Sequence, residues 1–354
     1  MSPLRRALVL CALSAFSALL SSCGSGLNAS DIAANPLSYG GQPAIALGAT
    51  SVSGDIAPVR DPSVIYAGGT YYLFVTDAIG AWNGSLPFLC SSDRAVWRYC
   101  GSIFPAMPEW LQAKLPGLTE IWAPDVSYFN GEYHVYYSAS IVNTTRTVIG
   151  LATNVTLDPQ DARYHWVDRG MVTESFAGAE INDLDPNVLV DGERVWLSYG
   201  SYWDGIRQRE IDPVTGMLKP GQVYEMAARP WVPVHPIEGS SQLRHDGWYY
   251  LFVSIDRCCN TDLTTNNYKM AVGRSKSPNG PFVAKDGTPM MDGGSTVILE
   301  GSAQWVGVGG GTVYDDPVTG KTIIVFHGQK ITEGGRATLW VKEVSWNDGW
   351  PVIL

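Results

Sequence analysis

The apolar positions of this chain fall in short runs around tight turns, with no sustained helical stripe. Asp61-Pro62-Ser63-Val64-Ile65-Tyr66 leads through Gly68-Gly69 into Tyr71-Tyr72-Leu73-Phe74-Val75. Ala123-Pro124-Asp125-Val126-Ser127-Tyr128 leads through Asn130-Gly131 into Tyr133-His134-Val135-Tyr136-Tyr137, and Asp185-Pro186-Asn187-Val188-Leu189-Val190 through Asp191-Gly192 into Val195-Trp196-Leu197-Ser198-Tyr199. Glu238-Gly239-Ser240-Ser241-Gln242-Leu243 leads through Asp246-Gly247 into Trp248-Tyr249-Tyr250-Leu251-Phe252-Val253, and a weaker copy runs from Gly310 through Thr319-Gly320 into Ile323-Ile324-Val325-Phe326. Each copy predicts a strand, a turn and a second strand. β-Branched and aromatic residues suit the strands, and Asx-Gly or Gly-Gly supplies the positive φ of a tight hairpin. The copies lie roughly 50 to 75 residues apart, room for four strands each, so the expected architecture is all-β: a five-bladed β-propeller. A β-sandwich with coincidental hairpins would not repeat the same entry residues five times. Glu109 to Lys114 is predicted to hold a helical turn.

The N-terminus follows other rules. Arg5 and Arg6 precede an apolar stretch from Ala7 to Leu20, and Leu20-Ser21-Ser22-Cys23 reads as a lipobox. Residues 1–22 are then a lipoprotein signal peptide, residues 23–50 a lipidated Cys23 with a polar tether, and residues 51–354 the propeller. An exported monomer held at the bacterial envelope by its lipid is expected. The chain has 354 residues and is 45% hydrophobic, with 38 Gly, 13 Trp and 17 Tyr. Such a composition suits many short strands. The formal net charge of −10 excludes nucleic acid as a partner, which needs clustered Lys and Arg; a neutral polysaccharide is not repelled. Cys90, Cys100, Cys258 and Cys259 remain after processing, and export favours disulfides. Three pairings are open; Cys90 with Cys100 would close a short hairpin-like loop.

The first residues of the five copies read Asp61, Ala123, Asp185, Glu238 and Gly310. Equivalent strand starts surround one end of a propeller's axis, so three acids from three blades should converge on one pocket. Crowding and burial disfavour their charged forms and drive their proton affinities apart. Glycoside hydrolysis needs that divergence: one carboxyl protonated to assist the leaving oxygen, another ionised to activate water or attack the sugar. Taken singly, Asp61 and Asp185 could be turn starters before proline and Glu238 a partner of Arg229 or Arg244. Taken together they could also bind Ca²⁺.

At these residues the chain resembles glycoside hydrolase family 43, particularly its endo-α-1,5-L-arabinanases. The resemblance runs from about Val59 to Val352. It is carried by Arg60-Asp61-Pro62-Ser63-Val64, Ile121-Trp122-Ala123-Pro124-Asp125-Val126, Asn182-Asp183-Leu184-Asp185-Pro186-Asn187-Val188, Gly200-Ser201-Tyr202-Trp203-Asp204-Gly205-Ile206, Ile237-Glu238-Gly239 and Trp305-Val306-Gly307. It implies an inverting enzyme that cleaves arabinan, with Asp61 as general base, Glu238 as general acid and Asp185 raising and orienting that acid. It further implies Trp122 and Trp203 stacking on arabinose, Asn182 and Ser201 bonding sugar hydroxyls, and His327 helping to hold a hydrated cation, commonly calcium. No organic cofactor is implied. Two departures lie in the fifth repeat: Val308-Gly309-Gly310-Gly311-Thr312 lacks the family's histidine, and Gly328-Gln329 replaces aromatic and acidic residues. The rival readings are a β-xylosidase or α-L-arabinofuranosidase acting on arabinoxylan, a retaining fructan hydrolase, and a non-catalytic glycan-binding lipoprotein.

Overall fold

The structure, a computed structural model, describes residue 47 and residues 50–142, 144–258 and 262–354. The signal segment, Cys23, most of the tether and Cys259 lie outside the described residues.

Five sheets follow one another along the chain. The first blade holds β1 (Ser53–Gly54), β2 (Ser63–Ala67), β3 (Thr70–Phe74), β4 (Ser85–Ser91) and β5 (Val96–Phe104). A short helix, α1 (Glu109–Lys114), leads to the second: β6 (Trp122–Phe129), β7 (Glu132–Ser140), β8 (Thr147–Asn154) and β9 (Val167–Ser175). The third is β10 (Asn187–Asp191), β11 (Arg194–Tyr199), β12 (Ile206–Ile211) and β13 (Tyr224–Ala227). The fourth is β14 (Ile237–His245), β15 (Trp248–Ile255), β16 (Lys269–Ser275) and β17 (Thr296–Leu299). The fifth is β18 (Trp305–Asp316), β19 (Lys321–Lys330), β20 (Arg336–Asn347) and β21 (Trp350–Ile353). Strands β2, β6, β10, β14 and β18 touch in order and β18 returns to β2. They therefore form the inner ring of a closed five-bladed propeller, as the repeats require.

Each blade buries its faces against its neighbours. Phe74 and Phe88 of the first share a cluster with Val135 and Tyr137 of the second, and Leu111 of α1 plugs the same cluster. Phe252 of the fourth packs with Phe326 and Trp340 of the fifth. Burial of each such side chain contributes about 1.5–3 kcal/mol. The ring closes through the segment before β2. Leu339 N–H donates to Ile56 O and Val59 N–H to Ala337 O, while Ser53 N–H donates to Ala95 O and Asp55 N–H to Trp97 O. Residues 53–59 thus lace the fifth blade to the outer edge of the first.

Cys90 and Cys100 form a disulfide across β4 and β5, with Cα atoms 5.9 Å apart. Cys258 is also disulfide-bonded. The hairpin turns fall where predicted, with one slip: in the third blade Asp191 pairs with Arg194, so the turn is Gly192-Glu193 rather than Asp191-Gly192.

Candidate active site

In a regular strand, neighbouring side chains point to opposite faces, so only every second residue could face the axis. Here each inner strand is entered through a left-handed residue. Asp61, Ala123, Asp185, Gly239 and Gly310 have φ of 48°, 40°, 55°, 57° and 57°. The ladders of the second, fourth and fifth blades shift register across it, as at a β-bulge. This kink turns both that residue and the one before it toward the axis. Arg60 and Asp61, Trp122 and Ala123, Leu184 and Asp185, and Glu238 and Gly239 all line one cavity of about 450 Å³.

This geometry corrects the register expected for Glu238. The first turn residues Gly68, Asn130, Gly192 and Asp246 each lie seven positions beyond the left-handed residue (61 to 68, 123 to 130, 185 to 192, 239 to 246). The true column is therefore Asp61, Ala123, Asp185, Gly239 and Gly310. Glu238 stands one step earlier, level with Trp122, where the backbone carries no left-handed strain. The three acids still meet in the same cavity, because both steps face it.

Their surroundings differ. Thr76 Oγ1 donates to Asp61 Oδ2 at 2.6 Å and accepts the Ala123 N–H at 2.8 Å, tying the acid to the second blade. Asp61 N–H donates to His327 Nδ1 at 3.2 Å, and that nitrogen is 3.6 Å from Asp61 Oδ1. Asp185 Oδ2 accepts the Gly239 N–H at 3.1 Å, and its own N–H donates to Ser138 Oγ. Glu238 Oε2 accepts from Ser201 Oγ at 2.7 Å. Burial raises the Glu238 carboxyl above its ordinary value, the Ser201 and Tyr268 hydroxyls oppose that rise, and the charge of Asp61 adds to it. Burial and then the charges of Glu238 and Asp61 push Asp185 well above the usual carboxylate range. The pocket thus favours proton-holding carboxyls at Glu238 and Asp185, opposite an Asp61 held by a hydroxyl and a backbone-anchored imidazole.

The other expected residues divide. Trp122 lines the acid cavity and a second one, of about 660 Å³, that also takes in Asn182 and Trp203. Leu184, Val142 and Tyr202 line both, so the two cavities adjoin. Trp203 is 42% exposed at its outer part. Asn182 Nδ2 donates to Ser201 O at 3.0 Å, while its buried Oδ1 has no partner among the described residues. Ser201 is buried and its hydroxyl is engaged by Glu238. His327 is buried too, and burial lowers its proton affinity although Asp61 opposes this. Its Nδ1 is an acceptor for Asp61 N–H, so the proton sits on Nε2. Calcium takes six to eight oxygen ligands, and among the described residues no group of three His, Cys, Asp or Glu is placed to hold a metal. A cation beside His327 would therefore be held through water.

Reading the repeats alone misses Thr76, Ser254 and Tyr268. Thr76 and Ser254 stand one residue past the repeated segments, fifteen positions beyond Asp61 and Gly239, in a column with Ser138 and Gly200; Tyr268 lies immediately before β16, in no repeated segment. The sequence trace of Tyr268 is the glycine run. A Cβ on Gly309 would come within 2.4 Å of the Tyr268 ring, and one on Gly310 within 2.3 Å of Asp61 Oδ1 and 2.7 Å of His327.

The chain matches the family model "Glycosyl hydrolases family 43" over residues 56–351. It is 35% identical to the extracellular endo-α-(1→5)-L-arabinanase 1 of Bacillus subtilis, over 83% of this chain and 87% of that protein. It is 32% identical to the extracellular exo-α-(1→5)-L-arabinofuranosidase ArbA of Cellvibrio japonicus, over 83% and 86%. Its fold superposes on Cellvibrio cellulosa α-L-arabinanase complexed with arabinohexaose with a TM-score of 0.78 at 29% identity, covering 84% of this chain and 96% of the other.

Proposed function

Because the chain belongs to glycoside hydrolase family 43, we propose that its axial pocket hydrolyses arabinan by a single displacement with Asp61, Glu238 and Asp185 as the working acids. The enzyme is a glycoside hydrolase that cleaves α-1,5-linked L-arabinan. The observation that carries the mechanism is the delivery of three carboxyl groups, from three blades, into one sugar-sized cavity with unlike partners.

Glu238, raised by burial, gives its proton to the glycosidic oxygen as the C1–O bond breaks, and the electron pair leaves on that oxygen. Asp61 takes a proton from a water molecule whose oxygen bonds to C1 from the opposite face, so the product is inverted at the anomeric carbon. Asp185 fixes the local backbone through the Gly239 N–H and so holds the peptide next to the acid. The adjoining cavity lined by Trp122, Leu184, Asn182 and Trp203 receives further arabinose units. Export brings the enzyme to this polymer, as for its extracellular relatives, and the lipobox ending at Cys23 anchors it at the envelope. Radiolabelled palmitate incorporated by the wild type and not by Cys23→Ala tests that anchor.

The mechanism is tested on debranched arabinan with products sized over time. Glu238→Gln and Asp61→Asn each lower kcat by about a thousandfold or more with the melting temperature retained. Proton NMR of the first product shows the β-anomer. Near-wild-type turnover by either variant, or a retained α-anomer, removes the mechanism. Equal release from xylan would redirect the substrate assignment.

A further inference from the structure

Glu238 accepts the Ser201 hydroxyl at 2.7 Å, and a second hydroxyl, that of Tyr268, also lowers its proton affinity. Tyr268 is buried and lines the acid cavity. Gly310 N–H donates to Ser254 Oγ at 2.9 Å, and the Ser254 hydroxyl acts on Tyr268 as Tyr268 acts on Glu238, each lowering the proton affinity of the next group. The fourth blade builds this by pairing Glu238 with Ser254, and Ile255 with Lys269, the residue next to Tyr268. The ring is clamped by Gly309 on one side, where any Cβ would overlap it, and by the His327 ring at 6.2 Å between centroids.

We infer that Tyr268 is a positioning residue for the general acid, holding the Glu238 carboxyl at the glycosidic oxygen and steadying the charge it acquires on giving up its proton. The inference rests on Glu238 being the acid. When the proton moves to the leaving oxygen, the negative charge stays on Glu238, and a hydrogen bond to a charged acceptor is about twice as strong as a neutral one. Ser254, held by the Gly310 N–H, favours the same charge through the phenol. Tyr268 transfers no proton itself; burial and then the charges of Glu238, Asp61 and Asp185 keep its own proton bound.

The test is Tyr268→Phe in the full-length protein, which keeps the ring and removes the donor. On linear arabinan kcat should fall about 10- to 100-fold with KM little changed. On a 4-nitrophenyl arabino-oligosaccharide, whose leaving group needs little proton assistance, the fall should be under about threefold. The alkaline limb of kcat/KM, where the acid loses its proton, should move to higher pH, because the lost donor favoured the ionised form. The other titratable groups facing Glu238 are Asp61, Asp185 and Tyr202. Arg257 acts on Tyr202 and His327 on Asp61, and the substitution leaves all of them in place. Ser254→Ala should give a smaller loss in the same direction. An equal loss on both substrates, or an unmoved limb, overturns the inference and leaves Tyr268 as packing. Glu238→Gln with wild-type activity would instead overturn the premise that Glu238 is the acid.

Discussion

The central acids show how closely residue identity follows backbone conformation. Asp61 and Asp185 accept φ near +50°, which Asp tolerates better than most residues. At the equivalent site the fourth blade uses Gly239 and advances the longer glutamate by one position. The sequence exposes the acids as a set through the repeats, but the offset becomes legible only by counting back seven residues from each turn. Thr76 is legible only when the column is carried one residue past the second apolar run, where Ser138 and Ser254 also stand, and Tyr268 belongs to no repeat. Gly310 is the converse: a departure from the family pattern whose reason is steric. Gly310→Ala must place a methyl group against Asp61 and His327 at a positive φ. We expect a destabilisation of about 1–3 kcal/mol and a loss of kcat at least as large as that of His327→Ala. Denaturant titration beside arabinan turnover measures both; a fully active Gly310→Ala would show that Asp61 tolerates displacement. Activity should also be lost as pH rises through the raised Glu238 value. That limb should lie above the range of an ordinary carboxyl, and the pH profile of kcat/KM reads it directly.

Among elements, the inner strands are joined by a polar girdle below the acids. Two residues past each left-handed position stand Ser63, Asp125, Asn187, Ser241 and Thr312. Val126 N–H donates to Ser63 Oγ, Val188 N–H to Asp125 Oδ2, Gln242 N–H to Asn187 Oδ1 and Val313 N–H to Ser241 Oγ, at 3.0, 2.9, 2.8 and 3.1 Å. Thr312 Oγ1 closes the ring on Pro62 O at 2.9 Å. The strands themselves were readable from alternation and turn chemistry, yet this column was not, because small polar residues at strand starts look like ordinary turn residues until the blades are set side by side. Asp125 is the most exacting member. Its carboxylate also accepts from Ser63 Oγ and Asn187 Nδ2, and burial pushes it up to about 7 in spite of these donors. Asp125→Asn replaces one acceptor oxygen by a donor and should cost about 1–3 kcal/mol. The sign of the pH effect follows from linkage. The folded value lies above the unfolded one, so the Asp125 contribution is greatest below about 4 and declines as pH rises to about 7. The wild-type advantage over Asp125→Asn should shrink across that window and level off above it. Urea titrations of both proteins at four pH values decide this, and a pH-independent difference would mean that Asp125 stays ionised in the fold.

At the scale of the whole molecule, a propeller made from one chain has a single seam, here between the fifth blade and the first. The seam is stitched by residues 53–59 through β20 on one side and β5 on the other, with Val52 and Val59 buried against Trp97, Ile323 and Leu339. The stitched segment ends directly before Arg60, whose carbonyl accepts the Thr76 N–H, and Asp61 follows. Ring closure and the placement of the base are therefore one structural event, whereas Glu238 and Ser201 are held by the third and fourth blades on the other side of the axis. Loosening the seam should then injure the base before it injures the acid. Ile56→Ala with Val59→Ala removes apolar contact at the stitch and should cost about 2–4 kcal/mol in all, lowering the melting temperature by several degrees. At a temperature where the variant is still folded, kcat should fall. The loss should be as large on the 4-nitrophenyl substrate as on linear arabinan, because a good leaving group relieves damage to the acid but not to the base, and the alkaline limb of the pH profile, which reports Glu238, should stay in place. Variants of equal instability made between the third and fourth blades, such as Gln208→Ala, which breaks the 2.6 Å bond to Gln242, should leave turnover of the 4-nitrophenyl substrate near that of the wild type. If both blade boundaries affect the two substrates alike, the blades transmit disturbance evenly and the base owes nothing special to closure of the ring.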